Sequence, residues 1–318
     1  MKVLVSDYGF ANLDIERQVI TSAGFQLVAA QCKTADEVAA AGVDAAALLV
    51  QWAPITRGVV AKLRQCRLIV RYGIGVDNVD VVAANARGIP VCNVPDYCIE
   101  EVADHAMAMA LALARQLPQV DRRLRGGVWK ITPDAAMPAL GDMTIATAGL
   151  GRIARALLTR ARAFGSRLAA FDPFVPASVF AAEGIAQLTL DELLQQADVL
   201  SLHLPLTSQT RGLINSSTLA KMRRTAILIN TARGGLVDGA ALAAALKSRV
   251  IAGAGLDVFE AEPLPPDHPL RQCDNALLTS HIGWFSERSV PKLQRLAAEE
   301  VVRGLRGEPL KHKVVVQA

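Results

Sequence analysis

The stretch "TIATAGLGRIARALLTRARAFGSRLAAFDPF", residues 144–174, decides how this chain folds. A short apolar run ends in Gly149-Leu150-Gly151-Arg152-Ile153-Ala154, and an amphipathic segment follows. This is G-x-G-x-x-G with alanine in third place, set between a strand and a helix as the pattern requires. Gly149 permits the tight turn. Gly151 lets the backbone approach a pyrophosphate, which the free N–H groups and positive dipole end of the helix attract. Asp172 closes the next apolar run, about 20 residues on, where a ribose-binding acid belongs. Its carboxylate would accept from the adenosine 2′-hydroxyl and repel a 2′-phosphate. No Arg or Lys follows in "DPFVPAS", so NAD is expected rather than NADP. A bare glycine pattern occurs by chance in many chains. The strand before it, the helix after it and the acid at this distance make it a dinucleotide turn.

Outward from the turn, apolar runs and amphipathic stretches alternate. Six candidate strands follow residue 143: "MTIATAG", "SRLAAFD", "ADVLSLHLP", "TAILINTA", "IAGAGLDV" and "NALLTSH". Five precede it: "KVLVSD", "FQLVAA", "AAALLV", "RLIVR" and "IPVCNV". Helical stretches such as "TRGVVAKLRQC" lie between them, so the expectation is an α/β protein built from βαβ units, with two doubly wound parallel sheets. The segment "EEVADHAMAMALALARQL", beginning at Glu100, has a strand-like alternation of large and small residues but is composed of helix formers. With Glu100, Glu101 and Asp104 at its start and Arg115 at its end it reads as a helix, apolar nearly all round, to be buried in the core or against a second subunit. The last helical stretch, "SERSVPKLQRLAAEEVVRGL", is expected to return to the first block. The domains are then a discontinuous one, 1–98 plus 287–318, and an inserted one, 99–286.

The totals restrict the function. Hydrophobic residues make up 52% but aromatics only 4%, the Ala, Val, Leu and Ile mix of buried parallel strands. A net charge of +4 with no basic cluster interleaved with aromatics gives no support for nucleic-acid binding. The five cysteines form no CxxC pair, so neither a disulfide framework nor a zinc site is expected, and no metal. The N-terminus lacks a signal peptide, and the longest apolar run, "AMAMALALA", is far shorter than a membrane span. A soluble cytoplasmic protein is expected.

Three strand ends carry unusual chemistry. Arg233 follows a strand in "AILINTARGGLVD", Asp257 and Glu262 follow another in "AGAGLDVFEAEPL", and His281 follows the last in "NALLTSHIGW". Each alone has an ordinary reading: a surface arginine, a solvated acidic loop, a capping histidine. Ligands in open α/β sheets bind at the carboxyl ends of strands, and all three fall there after a dinucleotide turn. Together they match the needs of 2-keto acid reduction: a histidine as proton donor, a carboxylate to orient it and favour the imidazolium, and an arginine fork for the substrate carboxylate.

The chain resembles the D-isomer-specific 2-hydroxyacid dehydrogenases. The resemblance rests on "VRYGIGVDNVDV", "NVPDYCIEEVADHAMAMAL", "TAGLGRIARALL", "LSLHLPLTSQTRGLI", "LINTARGGLVD", "GAGLDVFEAEPL" and "SHIGWFSE". It implies a Rossmann-like NAD-binding domain inserted into a flavodoxin-like substrate domain, an active site in the cleft, and a homodimer built through the NAD-binding domain, largely by the apolar helix. It implies His281 as acid/base, Glu262 as its partner and Arg233 as the substrate-binding arginine. The backbone N–H groups of Tyr72, Gly73 and Ile74 would hold the substrate carboxylate. Val102, Arg152, Ile153, Asp172, Thr231, Ala232 and Asp257 would line NAD, and His203 would be a cofactor-loop residue rather than a catalytic one.

"DYCIEEVADHA" and "HIGWFSE" look most like the branch containing the C-terminal binding proteins, in which Arg71 and Trp284 would reach the substrate. Trp284 reads equally as interdomain packing. Three positions depart from the family pattern: Ser280 where proline usually precedes the histidine, Asp104 where glutamate is common, and Ala154 in the third glycine place. The leading reading is an NAD-dependent D-2-hydroxyacid dehydrogenase acting on glyoxylate, hydroxypyruvate or a similar small keto acid. D-3-phosphoglycerate dehydrogenase is the enzymatic alternative, although the chain ends at 318 without room for a C-terminal regulatory domain. An NAD-sensing corepressor-like protein is the alternative of another class.

Overall fold

The computed structural model describes residues 1–133, 135 and 137–315. The chain divides into two compact units, Met1–Cys98 with Phe285–Ala318, and Ile99–Trp284.

The first unit alternates β1 (Lys2–Val5), α1 (Asp14–Ser22), β2 (Gln26–Ala29), α2 (Ala35–Gly42), β3 (Ala47–Val50), α3 (Arg57–Lys62), β4 (Leu68–Arg71), α4 (Val81–Ala86) and β5 (Val91–Cys92). Its sheet has the order β2-β1-β3-β4-β5, with every pair parallel. That is the flavodoxin-like order. β3 is buried at all four positions, as a central parallel strand covered on both faces must be. The local signals agree with the elements. Thr34 and Glu37 form a capping box at α2, each satisfying an amide the helix start leaves open.

The second unit holds α5 (Ile99–Ala114), α6 (Leu117–Arg125), β6 (Thr144–Ala148), α7 (Arg152–Ala163), β7 (Arg167–Phe171), α8 (Ala177–Glu183), β8 (Ala186–Gln187), α9 (Leu190–Gln196), β9 (Val199–Leu202), α10 (Ser216–Leu219), β10 (Ile227–Asn230), α11 (Gly239–Lys247), β11 (Gly253–Leu256) and β12 (Ala276–Leu278). Its parallel sheet runs β12-β11-β10-β9-β6-β7-β8. The strand order reverses between β6 and β9, the switch point of a Rossmann sheet, with Ile145 opposite Val199. One face packs on Met107, Met109, Leu113, Leu157, Leu158 and Phe180, the other on Leu193, Leu219, Leu242 and Leu246.

The sheet has seven strands where six were expected. β8 consists of two exposed residues paired with β7, and so small an edge strand carries no apolar run. α5 buries Ala103, Ala106, Met107, Met109, Ala110 and Leu113 within its own unit, which answers the question of where an all-round apolar helix goes. It stops at Ala114, and Gln116 turns the chain in the left-handed region before α6. α12 (Ser289–Leu305) belongs to the first unit: Leu293, Ala297, Val301 and Leu305 recur at helical spacing and are buried there.

Candidate active site

β11 ends at Leu256, which places Asp257 at the carboxyl end of the sheet, nearly fully buried. Three consecutive amides from the chain past β12 converge on this residue. The His281 N–H donates to the Asp257 carbonyl at 2.8 Å. The Ile282 and Gly283 amides donate to its Oδ1 and Oδ2 at 2.9 and 2.8 Å. The anchoring holds His281 at φ 58°, a conformation about 1–2 kcal/mol unfavourable for a residue with a side chain. The Trp284 indole N–H donates to the His281 carbonyl at 2.8 Å and closes the turn. Ser280 stands where a proline would stiffen the approach, and these hydrogen bonds hold the turn without it.

His281 Nδ1 lies 2.7 Å from Glu262 Oε2, and the Phe259 amide donates to Glu262 Oε1 at 2.9 Å. Burial works to raise the Glu262 carboxyl. The hydrogen bonds from His281 and Phe259 and the positive charges of His281 and Arg233 outweigh it, so the group lies below its ordinary value and is ionised at neutral pH. The imidazole remains reachable, with 42% of its side-chain surface exposed. Arg233 projects from the turn after β10. Buried Asn230 shapes that turn, donating to the Arg233 carbonyl at 2.9 Å and accepting from the Ala232 amide at 3.1 Å.

The glycine turn lies at the switch point. Gly149 has φ 94°, and a β-carbon there would come 2.5 Å from the His203 carbonyl oxygen. Gly151 opens α7 with no side chain capping it, and a β-carbon built on it meets nothing within 4 Å. That combination is an open cradle at the N-terminal end of α7, whose first turn begins with Arg152 and Ile153, and it fits a pyrophosphate. Asp172 accepts from the Leu150 amide at 2.8 Å and the Phe174 amide at 3.0 Å. A carboxylate has acceptor capacity left for a ribose hydroxyl. Thr231 Oγ1, just past β10, is sealed from solvent with no hydrogen-bond partner among the described residues. His203 follows β9, its amide bonded to the Ala148 carbonyl and its Nε2 2.9 Å from Ser201 Oγ. Burial pushes its pKa down to about 4, so it is neutral and belongs to the glycine turn.

Residues 107–283 match the family model described as D-isomer specific 2-hydroxyacid dehydrogenase, NAD binding domain. The chain belongs to the D-isomer specific 2-hydroxyacid dehydrogenases. It is an NAD-dependent oxidoreductase that interconverts a 2-keto acid and a 2-hydroxy acid. The dehydrogenase is 40% identical over 258 residues to a glyoxylate reductase of Korarchaeum cryptofilum, covering 80% of this chain and 78% of that one. It is 41% identical over 274 residues to a D-3-phosphoglycerate dehydrogenase of Mycobacterium bovis, covering 86% of this chain and 52% of that one. The chain thus spans about half the length of that relative. Among solved structures, a D-lactate dehydrogenase from Aquifex aeolicus, complexed with NAD and lactic acid, superposes with a TM-score of 0.87 at 26% identity over 96% of each chain.

The other residues singled out in the dehydrogenase fall as follows. Arg71 ends β4 in the first unit, and Tyr72, Gly73 and Ile74 form the turn after it. Gly73 has φ 136°, and a β-carbon there would overlap the Arg71 guanidinium. Asn93 Nδ2 donates to the Ile74 carbonyl at 2.6 Å, and the Val94 amide to the Gly73 carbonyl at 2.9 Å. Tyr72 is buried, its hydroxyl donating to buried Glu16 at 2.9 Å. Val102 is buried in α5, and Ala232 lies in the turn that carries Arg233. Ala154 fits the interior of α7 fully buried, and Asp104 joins Glu100 in gripping Arg160 between α5 and α7. Sequence reasoning passed over Asn230, Thr279 and His105. The one available signal for His105 was an imidazole directly before the buried run Ala106, Met107, Met109 and Ala110 of α5.

Proposed function

We propose that the enzyme reduces a small 2-keto acid, glyoxylate or hydroxypyruvate, to its D-2-hydroxy acid with NADH. The observation that carries this is the Nδ1–carboxylate contact between His281 and Glu262 in a turn pinned to the end of β11. NADH, when bound, supplies the hydride. The chain's own groups do the rest. Glu262 fixes the Nδ1–H tautomer and stabilises the imidazolium, leaving Nε2 to deliver a proton to the carbonyl oxygen. Arg233 binds the substrate carboxylate through its fork of donors. Arg71, the Ile74 amide in the turn after β4, and the Trp284 indole are the further substrate-binding groups; the Tyr72 and Gly73 amides are spent on the Val50 and Arg71 carbonyls at 2.8 and 3.0 Å and shape that turn instead. The cofactor is held by the Gly149–Ile153 turn, Asp172, Thr231 and Ala232, with Val102, His203 and Asp257 lining its site. Reduction by wild-type enzyme of a panel of keto acids, compared with His281→Ala, tests this. An unchanged rate in the variant would remove His281 from the mechanism.

Similarity to phosphoglycerate dehydrogenases supports a second substrate reading, a phosphorylated 2-hydroxy acid. The same panel with and without a phosphate ester separates the two. We further propose a homodimer through the second unit and a cytoplasmic location. No residue of α6 is buried, and Leu117, Leu124, Val128, Trp129 and Ile131 are exposed in and just after it, an apolar surface suited to a second copy. Trp129→Glu should yield monomers in light scattering. Five free cysteines suit a reducing compartment. Among the described residues no helix is long and apolar enough to cross a membrane.

A further inference from the structure

We propose that His105 is a positioning residue for His281, acting through Thr279 and Asp257. The inference rests on His281 being the proton donor, as argued above, and concerns what keeps it in place. Asp257 is the peg on which the amides of residues 281, 282 and 283 all hang. The peg needs fixing itself, because a carboxylate on a short side chain can rotate. Thr279 Oγ1 donates to Asp257 Oδ1 at 2.5 Å. With its only proton spent there, that hydroxyl is an acceptor toward His105 Nε2, which stands 2.9 Å away. His105 therefore presents an N–H at Nε2 and fixes the rotor of Thr279, which fixes the carboxylate. Its Nε2 is also 3.6 Å from Asp257 Oδ1. The ring forms the floor of the turn: a β-carbon on Gly283 would lie 3.3 Å from the His105 ring and 3.0 Å from Asp257 Oδ2. α5 supplies a rigid mount, since its neighbours Ala106, Met107 and Met109 are locked in the core. All four residues belong to the second unit.

The experiment compares His105→Leu, which removes the donor, with His105→Gln, which restores an N–H. Hydrogen exchange of the 281–283 amides in the protein without substrate is read first. Exchange should rise about tenfold in the leucine variant and stay near wild type in the glutamine variant. Steady-state reduction of glyoxylate or hydroxypyruvate is read second. The leucine variant should lose about tenfold in kcat with KM within a factor of two or three, and glutamine should recover most of it. NADH affinity, measured by fluorescence titration, should stay within threefold in both. Thr279→Val cuts the same chain from the other side and should reproduce the leucine phenotype, which covers a leucine variant that fails to fold. Exchange unchanged in both the leucine and valine variants, or glutamine behaving like leucine, overturns the proposal. Wild-type enzyme inert toward every keto acid, or active after His281→Ala, instead overturns the proton-donor reading, while the exchange measurement still decides whether His105 holds the turn.

Discussion

Gly234 lies so close to Phe259 that a β-carbon on it would stand 1.9 Å from the Phe259 carbonyl carbon and 2.4 Å from the Glu260 nitrogen. This backbone-on-backbone contact brings the turn carrying Arg233 against the loop carrying Glu262, and no side-chain movement can relieve a collision there. Gly234→Ala should therefore separate the two loops. The expected result is a loss of about 2–3 kcal/mol in stability together with a sharp fall in reduction rate. A variant with wild-type melting and turnover would mean that the contact is dispensable.

Glu262→Gln keeps an acceptor near His281 Nδ1 and removes the charge. Reduction needs the imidazolium, and the missing negative charge makes that form harder to reach, so the rate should begin to fall at lower pH than in wild type. Because the Glu262 carboxyl lies below its ordinary value, it stays ionised through the assayed range and contributes no limb of its own. The pH dependence of kcat/KM for both proteins checks this, and superimposable profiles would show that the pair is not coupled to proton transfer.

The parts legible in the sequence were those with local signatures. The glycine turn, Asp172 after its strand and the strand ends bearing Arg233, Glu262 and His281 each depend on residues a few positions apart. The order of the strands in each sheet is not written in any local stretch, though parallel pairing with helical crossovers restricts it strongly. What escaped were residues whose role exists only after folding. His105 is 174 positions from Thr279, and an imidazole among Ala, Met and Leu gives no hint of its partner. Glu16 looks like a surface acid in "LDIERQ", yet it is buried and receives both Tyr72 and Gln294 from distant elements. β8 escaped for the opposite reason, since two exposed residues at a sheet edge need no apolar pattern.

Asp172→Ala should weaken discrimination against NADP. The wild-type carboxylate would meet a 2′-phosphate with like charge, and removing it also frees the Leu150 and Phe174 amides that it now accepts from. Affinity for NADH should fall about tenfold or more while NADPH is affected less. Titration of both cofactors measures the ratio. A ratio unchanged from wild type would assign cofactor choice to another residue.

His203 makes stability depend on pH. In the unfolded chain its imidazole takes a proton near the ordinary 6.5, whereas burial holds it off until about 4 in the native state. Between those values the unfolded chain binds more protons. The contribution of this group is therefore complete above pH 6.5 and is lost as pH falls toward 4, at about 1.4 kcal/mol per unit. Between pH 7.5 and 5.0 the wild type should lose about 2 kcal/mol more than His203→Asn, which offers Ser201 a hydrogen-bond partner but does not titrate. Urea unfolding of both proteins at the two pH values gives the difference directly. Equal losses would mean that the ring is protonated as readily in the native turn as in the unfolded chain.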